Sequence, residues 1–352
     1  METKIIKIDR YNFDIQDLKE GAEILKAGGL VAFPTETVYG LGADGLKDEA
    51  SSKIFSAKGR PCDNPLIIHI ADLDALKVLT KTIPERGFTL AKQFWPGPLT
   101  LIFDKSKAVP YSTTGGLKTI AIRMPSHPIA HELIKASGVY VAAPSANTSG
   151  RPSPTRAEHV ADDLGGKIDY IIDGGKVDIG LESTIVDVTG STPVVLRPGY
   201  ITTVMIEDVV GRVIVDKTIT TKSYKPNIIA KAPGMKYKHY APKGELIIFE
   251  GKVDKVIKKI NEVTKERLEE NYKVGIIATD ETIEFYKKGD VKNIGTRKDE
   301  ETIARGLFEI LREFDDDGVD YIFTESFSSS NLGQAIMNRL LKAAGYHILT
   351  VE

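Results

Sequence analysis

The chain has 352 residues, 41% hydrophobic and 27% charged, with a formal net charge of −2. That length predicts two domains, and a balance so close to neutral gives no general case for nucleic-acid binding. One cysteine, Cys62, leaves no intrachain disulfide and no cysteine-rich zinc site.

The opening METKIIKIDRYNFD lacks the apolar core of a signal peptide. No apolar run approaches the roughly 20 residues that span a bilayer. A soluble cytoplasmic protein is the expectation. KIIKID (4–9) and LVAFPT (30–35) read as strands around an amphipathic helix at 15–29, which closes on paired glycines. A short helix at 48–57 precedes PLIIHI (65–70). Further strands are predicted at 99–104, 119–125, 139–145, 170–175, 182–189 and 193–199. Several follow one another without a long helix between them, so some pairs must be antiparallel and the sheet mixed.

The second half alternates strictly. Strands are expected at 245–250, 273–280, 291–296, 319–325 and 347–352, with helices at 252–270, 281–288, 299–315 and 331–344. That order argues for a parallel sheet covered by helices. It carries neither G-x-G-x-x-G nor G-x-x-x-x-G-K-[ST]. SFSSSNLG (326–333) reads as capping and turn chemistry, with an anion at the helix start as the alternative. The predicted division is 1–216, a linker at 217–244, and 245–352. Within the linker, PGMKYKHYAP brings Tyr237, His239 and Tyr240 beside two lysines. It reads either as a segment pinned to a domain surface or as a lid.

Familiar catalytic patterns are missing. HPIAH puts His127 and His131 at i, i+4, but without a carboxylate at metal-ligand spacing. There is no G-x-S-x-G elbow, and Cys62 is not read as a nucleophile. What recurs is small polar and basic residues at strand ends: PTETVYGLGAD (34–44), KGRPCDNP (58–65), TIAIRMP (119–125), APSANTSGRPSP (143–154), and EST (182–184) with LRPG (196–199). In α/β sheets, ligands sit where such loops converge. Lys58, Arg60, Arg123, Arg151 and Arg197 offer cations. Thr37, Ser145, Ser153, Ser183 and Thr184 offer hydroxyls, and Asn64 and Asn147 offer amides. The inventory suits phosphates and a small polar ligand. Carboxylates look sparse, which argues against paired-acid chemistry. Each stretch alone is unspecific: His69 would ordinarily be a core histidine, and PSAN a plain turn.

Taken together, KGRP..NPLIIH, WPGPLT, PSAN, ESTIVD and LRPG resemble the YrdC-like domain of threonylcarbamoyl-AMP synthases over residues 12–212. PGMKYKHYAP followed by a smaller α/β domain resembles the long, two-domain form. The resemblance implies a twisted, open mixed α/β sheet (YrdC-like) with a second, smaller Rossmann-like domain. It implies synthesis of L-threonylcarbamoyladenylate and pyrophosphate from L-threonine, bicarbonate and ATP. That product supplies N6-threonylcarbamoyladenosine at position 37 of tRNAs reading ANN codons. Mg2+ would accompany ATP, held through its phosphates. A tRNA threonylcarbamoyl-transfer complex would be the partner. The roles implied are triphosphate binding by Lys58, Arg60, Asn64, Ser145 and Asn147. Thr119, Ser153 and Arg197 would complete the nucleotide site, with Tyr237 and Tyr240 closing over it. Threonine would lie against Thr37, His69, Arg123, the backbone at Ala143, and Ser183, with Arg123 at its carboxylate. Such chemistry needs no protein nucleophile, only positioning and charge neutralisation. Two rival readings stay open at this point. One is an RNA-binding face, against which no stacking aromatics are interleaved with the basic residues. The other is carbamoyl transfer to another acceptor, which would lead one to expect zinc-finger cysteines.

Overall fold

The computed structural model describes residues 2–220, 232–233 and 239–352. Its chain divides into two compact units. The first comprises the chain up to Ser149 and Ser153–Thr220; the second comprises Gly150–Pro152 and the chain from residue 239 onward.

Among the described residues, the first unit contributes eleven strands: β1 (Lys4–Lys7), β2 (Val31–Phe33), β3 (Gly40–Asp44), β4 (Ile67–His69), β5 (Leu99–Asp104), β6 (Thr119–Arg123), β7 (Val141–Ala142), β8 (Tyr170–Asp173), β9 (Thr184–Asp187), β10 (Val194–Arg197) and β11 (Ile214–Val215). They form one sheet in the order β1-β8-β2-β3-β7-β4-β6-β5-β9-β10-β11. It is mixed: β4–β6 and β5–β9 run parallel, while β5–β6, β4–β7 and β9–β10 run antiparallel. The antiparallel pairs β2–β3, β5–β6 and β9–β10 join strands consecutive in the chain, with no helix longer than the single turn Tyr111–Thr114 between them.

Two strands, β3 and β11, were not expected from sequence. GLGAD has two glycines and only one branched apolar residue, so it lacks strand propensity. It is nevertheless fully buried and pairs β2 and β7. Helices at Glu85–Phe94, Pro128–Ser137, Ala157–Leu164 and Thr203–Val210 also escaped the sequence reading. The second of these starts on Pro128 at its first turn and ends at Gly138 in the left-handed region (φ 64°). It buries Ile129, Ala130, Leu133 and Ile134. These pack with Leu18 of the 3-10 turn Ile15–Leu18 and with Ala22 and Leu25 of the helix Lys19–Lys26 against Phe33 and Val141.

The second unit is simpler. β12 (Glu245–Gly251), β13 (Val274–Ala278), β14 (Asp290–Asn293), β15 (Tyr321–Glu325) and β16 (Ile348–Val351) lie in the order β14-β13-β15-β12-β16. Every pairing is parallel, as the β–α alternation required. Helices Val253–Glu269, Glu300–Asp316 and Asn331–Ala343 make three of the connections. The helix expected at 281–288 is only a single 3-10 turn, Ile283–Phe285. The start of Asn331–Ala343 is already served: Glu300 accepts from the Gly333 amide at 2.8 Å. Ser330 at the N-cap makes no side-chain capping bond, and Ser328 Oγ accepts from the Ser330 amide at 3.2 Å, so the SFSSSNLG stretch supplies turn chemistry while the cap comes from Glu300.

Candidate active site

The strand-end loops of the first unit are tied together by register. In the β4–β6 pair His69 faces Arg123, and in β5–β6 Thr100 faces the same Arg123. Thr100 Oγ1 and Ser183 Oγ share a hydrogen bond of 2.7 Å. Arg197 donates through Nε to the Ser183 carbonyl (3.0 Å) and through Nη2 to its hydroxyl (3.2 Å). On the other side, Arg123 Nη1 donates to Thr37 Oγ1 at 2.9 Å. Thr37, His69, Arg123, Ser183 and Arg197 are all buried and form one contiguous set. Ala143 sits beside them, its amide donating to the Ile67 carbonyl at 2.9 Å.

The loop that delivers Thr37 is braced locally. The Thr35 hydroxyl accepts from the Thr37 and Val38 amides and donates to the Val38 carbonyl at 2.6 Å. The carbonyls of Glu36 and Thr37 accept from the Ile179 and Gly180 amides. This holds Glu36 inward, where its Oε1 lies 2.8 Å from Arg123 Nη2, both side chains being buried. The approach is off the N–H direction. Both Glu36 oxygens, and Arg123 Nε and Nη2, lack a hydrogen-bond partner among the described residues. Buried polar atoms are ordinarily satisfied, so such a cluster marks a place prepared for a polar ligand.

A second group surrounds the KGRPCDNP loop. Lys58 ends the helix Asp48–Lys58, and Gly59 caps it in the left-handed region (φ 60°). No protein atom crowds Gly59, so the turn itself explains the glycine. Lys58 is 2% exposed. Its ammonium donates to the carbonyls of Ser145 and Asn147, while its own carbonyl accepts from the Ser149 amide at 2.9 Å. Lys58 thus holds the S-x-N loop in place. Arg60 folds back on its own loop, with Nη2 on the Pro65 carbonyl at 3.0 Å and Nε on that of Asn64 at 3.3 Å. Ser145 Oγ donates to Asn147 Oδ1, and Asn147 Nδ2 donates to the Thr148 carbonyl. Asn64 Oδ1 has no hydrogen-bond partner among the described residues.

The remaining residues singled out from the sequence are more scattered. Thr119 opens β6 and Arg123 closes it, so about 13 Å of strand separates them. Ser153 donates to Glu182 Oε1 at 2.5 Å. Arg151 belongs to the second unit, where it pairs with Asp315 at 3.3 Å. Tyr240 is buried in that unit with its ring 5.1 Å from that of Phe308. Tyr237 lies outside the described residues, as do 221–231 and the rest of 234–238. Of the linker, Ala232 is fully buried among Ile67, Ile102, Ala121, Ile185 and Leu196, on the face of β4, β5, β6, β9 and β10. Gly199 shows why LRPG needs its glycine: a Cβ there would lie 2.5 Å from the Thr184 amide nitrogen.

Sequence reasoning missed three groups. Glu36 and Glu182 bring buried carboxylates into a site expected to hold few. His127, at the start of the helix Pro128–Ser137, has neither ring nitrogen hydrogen-bonded among the described residues. Burial, then the charge of Arg10, lowers its pKa to about 4. His69 is lowered to about 3, by burial first and the nearby Arg123 charge second. Both rings are therefore neutral at physiological pH.

The chain matches two family profiles. One, described as telomere recombination (Sua5, YciO and YrdC), covers residues 23–199; the other, the C-terminal domain of threonylcarbamoyl-AMP synthase, covers 201–345. The chain belongs to the Sua5 family. A threonylcarbamoyl-AMP synthase of Pyrococcus abyssi is 52% identical over 95% of this chain and 96% of its own length. One of Bacillus subtilis is 47% identical over 98% of this chain and 100% of its own. Among solved structures, P. abyssi Sua5 complexed with L-threonine superposes with a TM-score of 0.93 at 50% identity, covering 99% of this chain and all of that one. YciO of Escherichia coli, at 29% identity and a TM-score of 0.50, covers 56% of this chain. The family thus extends over both units, and the mixed-sheet fold expected of the first is the one observed.

Proposed function

We propose that the protein is an L-threonylcarbamoyladenylate synthase, joining L-threonine, bicarbonate and ATP into threonylcarbamoyl-AMP with release of pyrophosphate. The observation that carries this reading is the buried, incompletely satisfied set at Arg123, with Thr37, His69 and Ser183 around it. A guanidinium with free donor positions suits a carboxylate. Thr37, Ser183 and neutral His69 suit the ammonium and hydroxyl of a small amino acid. The relatives' names, and the threonine complex of P. abyssi Sua5, support the same assignment.

In this reading ATP runs along the sheet from Thr119 toward Arg123. Arg60, Asn64, Ser145 and Asn147 take the phosphates, and Ser153 and Arg197 complete the nucleotide site. Lys58 contributes its charge while fixing the S-x-N loop. Tyr240 and Tyr237 are the candidates for the nucleotide's outer edge, and Ala232 of the same segment is itself buried on this face. Mg2+ fits as part of the ATP substrate, sharing charge among phosphate oxygens. Among the described residues no three His, Cys, Asp or Glu side chains converge as metal ligands would. The carbamate of threonine attacks the α-phosphate, and the cations neutralise the charge that develops. In this reading the product feeds the modification of tRNA position 37, a role that suits a cytoplasmic protein. No helix among the described residues is long and apolar enough to cross a membrane.

The test is pyrophosphate release in the presence of MgATP, bicarbonate and threonine. Release is expected to require both threonine and bicarbonate. Release that ignores either one overturns the assignment.

A further inference from the structure

Carbamate formation needs threonine's nitrogen as a neutral amine, yet near neutral pH the amino acid arrives as an ammonium. A base must stand at that nitrogen. We propose that Glu36 is that base, and that His127 passes the proton outward. The inference rests on the threonine-site reading above.

Glu36 is placed as such a base must be. Its carboxylate is buried, and neither oxygen accepts a hydrogen bond among the described residues. It lies 2.8 Å from Arg123, the group that suits the substrate carboxylate. An α-amino acid carries its two charges on adjacent atoms. A guanidinium and a carboxylate side by side therefore read both ends at once, and the orphaned oxygens are the acceptors an ammonium would fill. The backbone contacts of Glu36 and Thr37 to Ile179 and Gly180 fix this direction without using the carboxylate.

His127 lies alongside. A Cβ on Gly174 would stand 2.7 Å from Pro34 Cγ and 3.5 Å from His127 Cε1, so the ring borders the loop that carries Glu36. The charges acting on His127 are those of Glu36 and Asp178, which favour its protonation, and that of Arg10, which opposes it. Arg10 and Asp178 pair with each other at 2.9 Å, with Asp178 half exposed. The ring therefore feels both a buried carboxylate, Glu36, and a surface carboxylate, Asp178, and neither of its nitrogens is hydrogen-bonded among the described residues. Arg123 faces Glu36 at 2.8 Å, and the same guanidinium charge acts on His69.

The steps balance. Glu36 takes one proton from the ammonium, leaving the amine lone pair. Bicarbonate separates into CO2 and hydroxide. The lone pair forms the N–C bond to CO2 as one C=O electron pair moves onto oxygen. The second N–H proton then joins the hydroxide as water. The proton on Glu36 is the one released overall, through His127 toward Asp178.

The experiment uses the full chain with Glu36→Gln, which keeps shape and removes basicity. Forward synthesis at saturating MgATP, threonine and bicarbonate is expected to lose about 100-fold in kcat near neutral pH. The residual rate is expected to climb about tenfold per pH unit as bulk base takes over, while the unaltered protein stays flat. The reverse reaction, ATP formation from threonylcarbamoyl-AMP and pyrophosphate, bypasses amine deprotonation and is expected to stay within a few-fold of the unaltered protein. It also reports that the variant is folded. A raised threonine KM with unchanged kcat and a flat pH profile would show that Glu36 only positions Arg123, and overturns the proposal. Equal loss in both directions does the same. If Glu36→Gln does not fold, Glu36→Asp carries the test, since a shorter base must slow only the forward direction. Absence of forward synthesis in the unaltered protein would instead refute the functional reading itself.

Discussion

Lys58 is the residue whose position most changes its expected role, and replacing it with methionine separates two accounts. If Lys58 mainly holds the S-x-N loop, its loss destabilises the protein before any nucleotide binds. Its ammonium is buried and donates to the carbonyls of Ser145 and Asn147. Leaving a buried acceptor unsatisfied costs about 1–3 kcal/mol, so two cost roughly 2–6 kcal/mol. Methionine recovers part of this, because an ammonium no longer has to be desolvated. A net loss of about 3 kcal/mol is the expectation, lowering Tm by roughly 6–12 °C for a unit of this size. The assay is thermal unfolding without ligand, paired with calorimetric titration of MgATP. Weakened ATP binding should accompany the Tm loss, because the loop that carries Ser145 and Asn147 is no longer fixed. A ligand-free Tm within a degree of the unaltered protein, with ATP affinity lost, would refute the reasoning and make Lys58 a simple phosphate ligand.

Three further outcomes follow from the same geometry. Arg123→Ala should raise the threonine KM at least 100-fold and destabilise the fold by about 3–5 kcal/mol, since Glu36 would remain buried without its cation. Adding Glu36→Ala should restore most of that stability in a double-mutant cycle, and additive losses would show that the pair is not coupled. Acid stability should depend on the buried histidines. With native pKa values near 4 for His127 and 3 for His69, against 6.5 in the unfolded chain, the unfolded state binds protons that the native state does not. Stability is then full above pH 6.5 and falls as pH drops toward 4, by about 1.4 kcal/mol per unit for each ring. His127→Gln should flatten that limb of the unfolding free energy; an unchanged slope would mean the ring is not buried neutral. Finally, chelating Mg2+ should abolish pyrophosphate release while leaving calorimetric threonine binding intact. Loss of threonine binding on chelation would contradict an ion carried by ATP.

Much of the fold was legible because strand signals were strong. β5 spans Leu99–Asp104, the same residues as its apolar run LTLIFD, and the parallel second sheet follows from strict alternation. β3 was not legible, because GLGAD becomes a strand only through pairing on both sides. The helix Pro128–Ser137 opens on HPIAH, whose proline and histidine pair resemble a turn and a metal pattern more than a helix start. Its real signals were proline at the first turn and glycine past the end.

The site divides along the same line. Residues offering charge or hydroxyls could be collected from motifs, since loops announce themselves by glycine and proline. What the motifs could not disclose is which groups cancel. His69 and Thr100 meet Arg123 only through the register of β4, β5 and β6, and register is a property of the sheet rather than of any one segment. Glu36 lies inside PTET, and a lone acid in a polar loop is ordinarily solvated. Folding changes its meaning by burying it beside Arg123 without giving either oxygen a hydrogen-bond donor among the described residues. The reverse happened to Lys58, which as a motif residue read as a phosphate cation and in the fold is committed to two carbonyls. An inventory of residue types can therefore name the ligand's chemistry. Which side chains remain available to touch that ligand is decided by the hydrogen bonds the fold has already made.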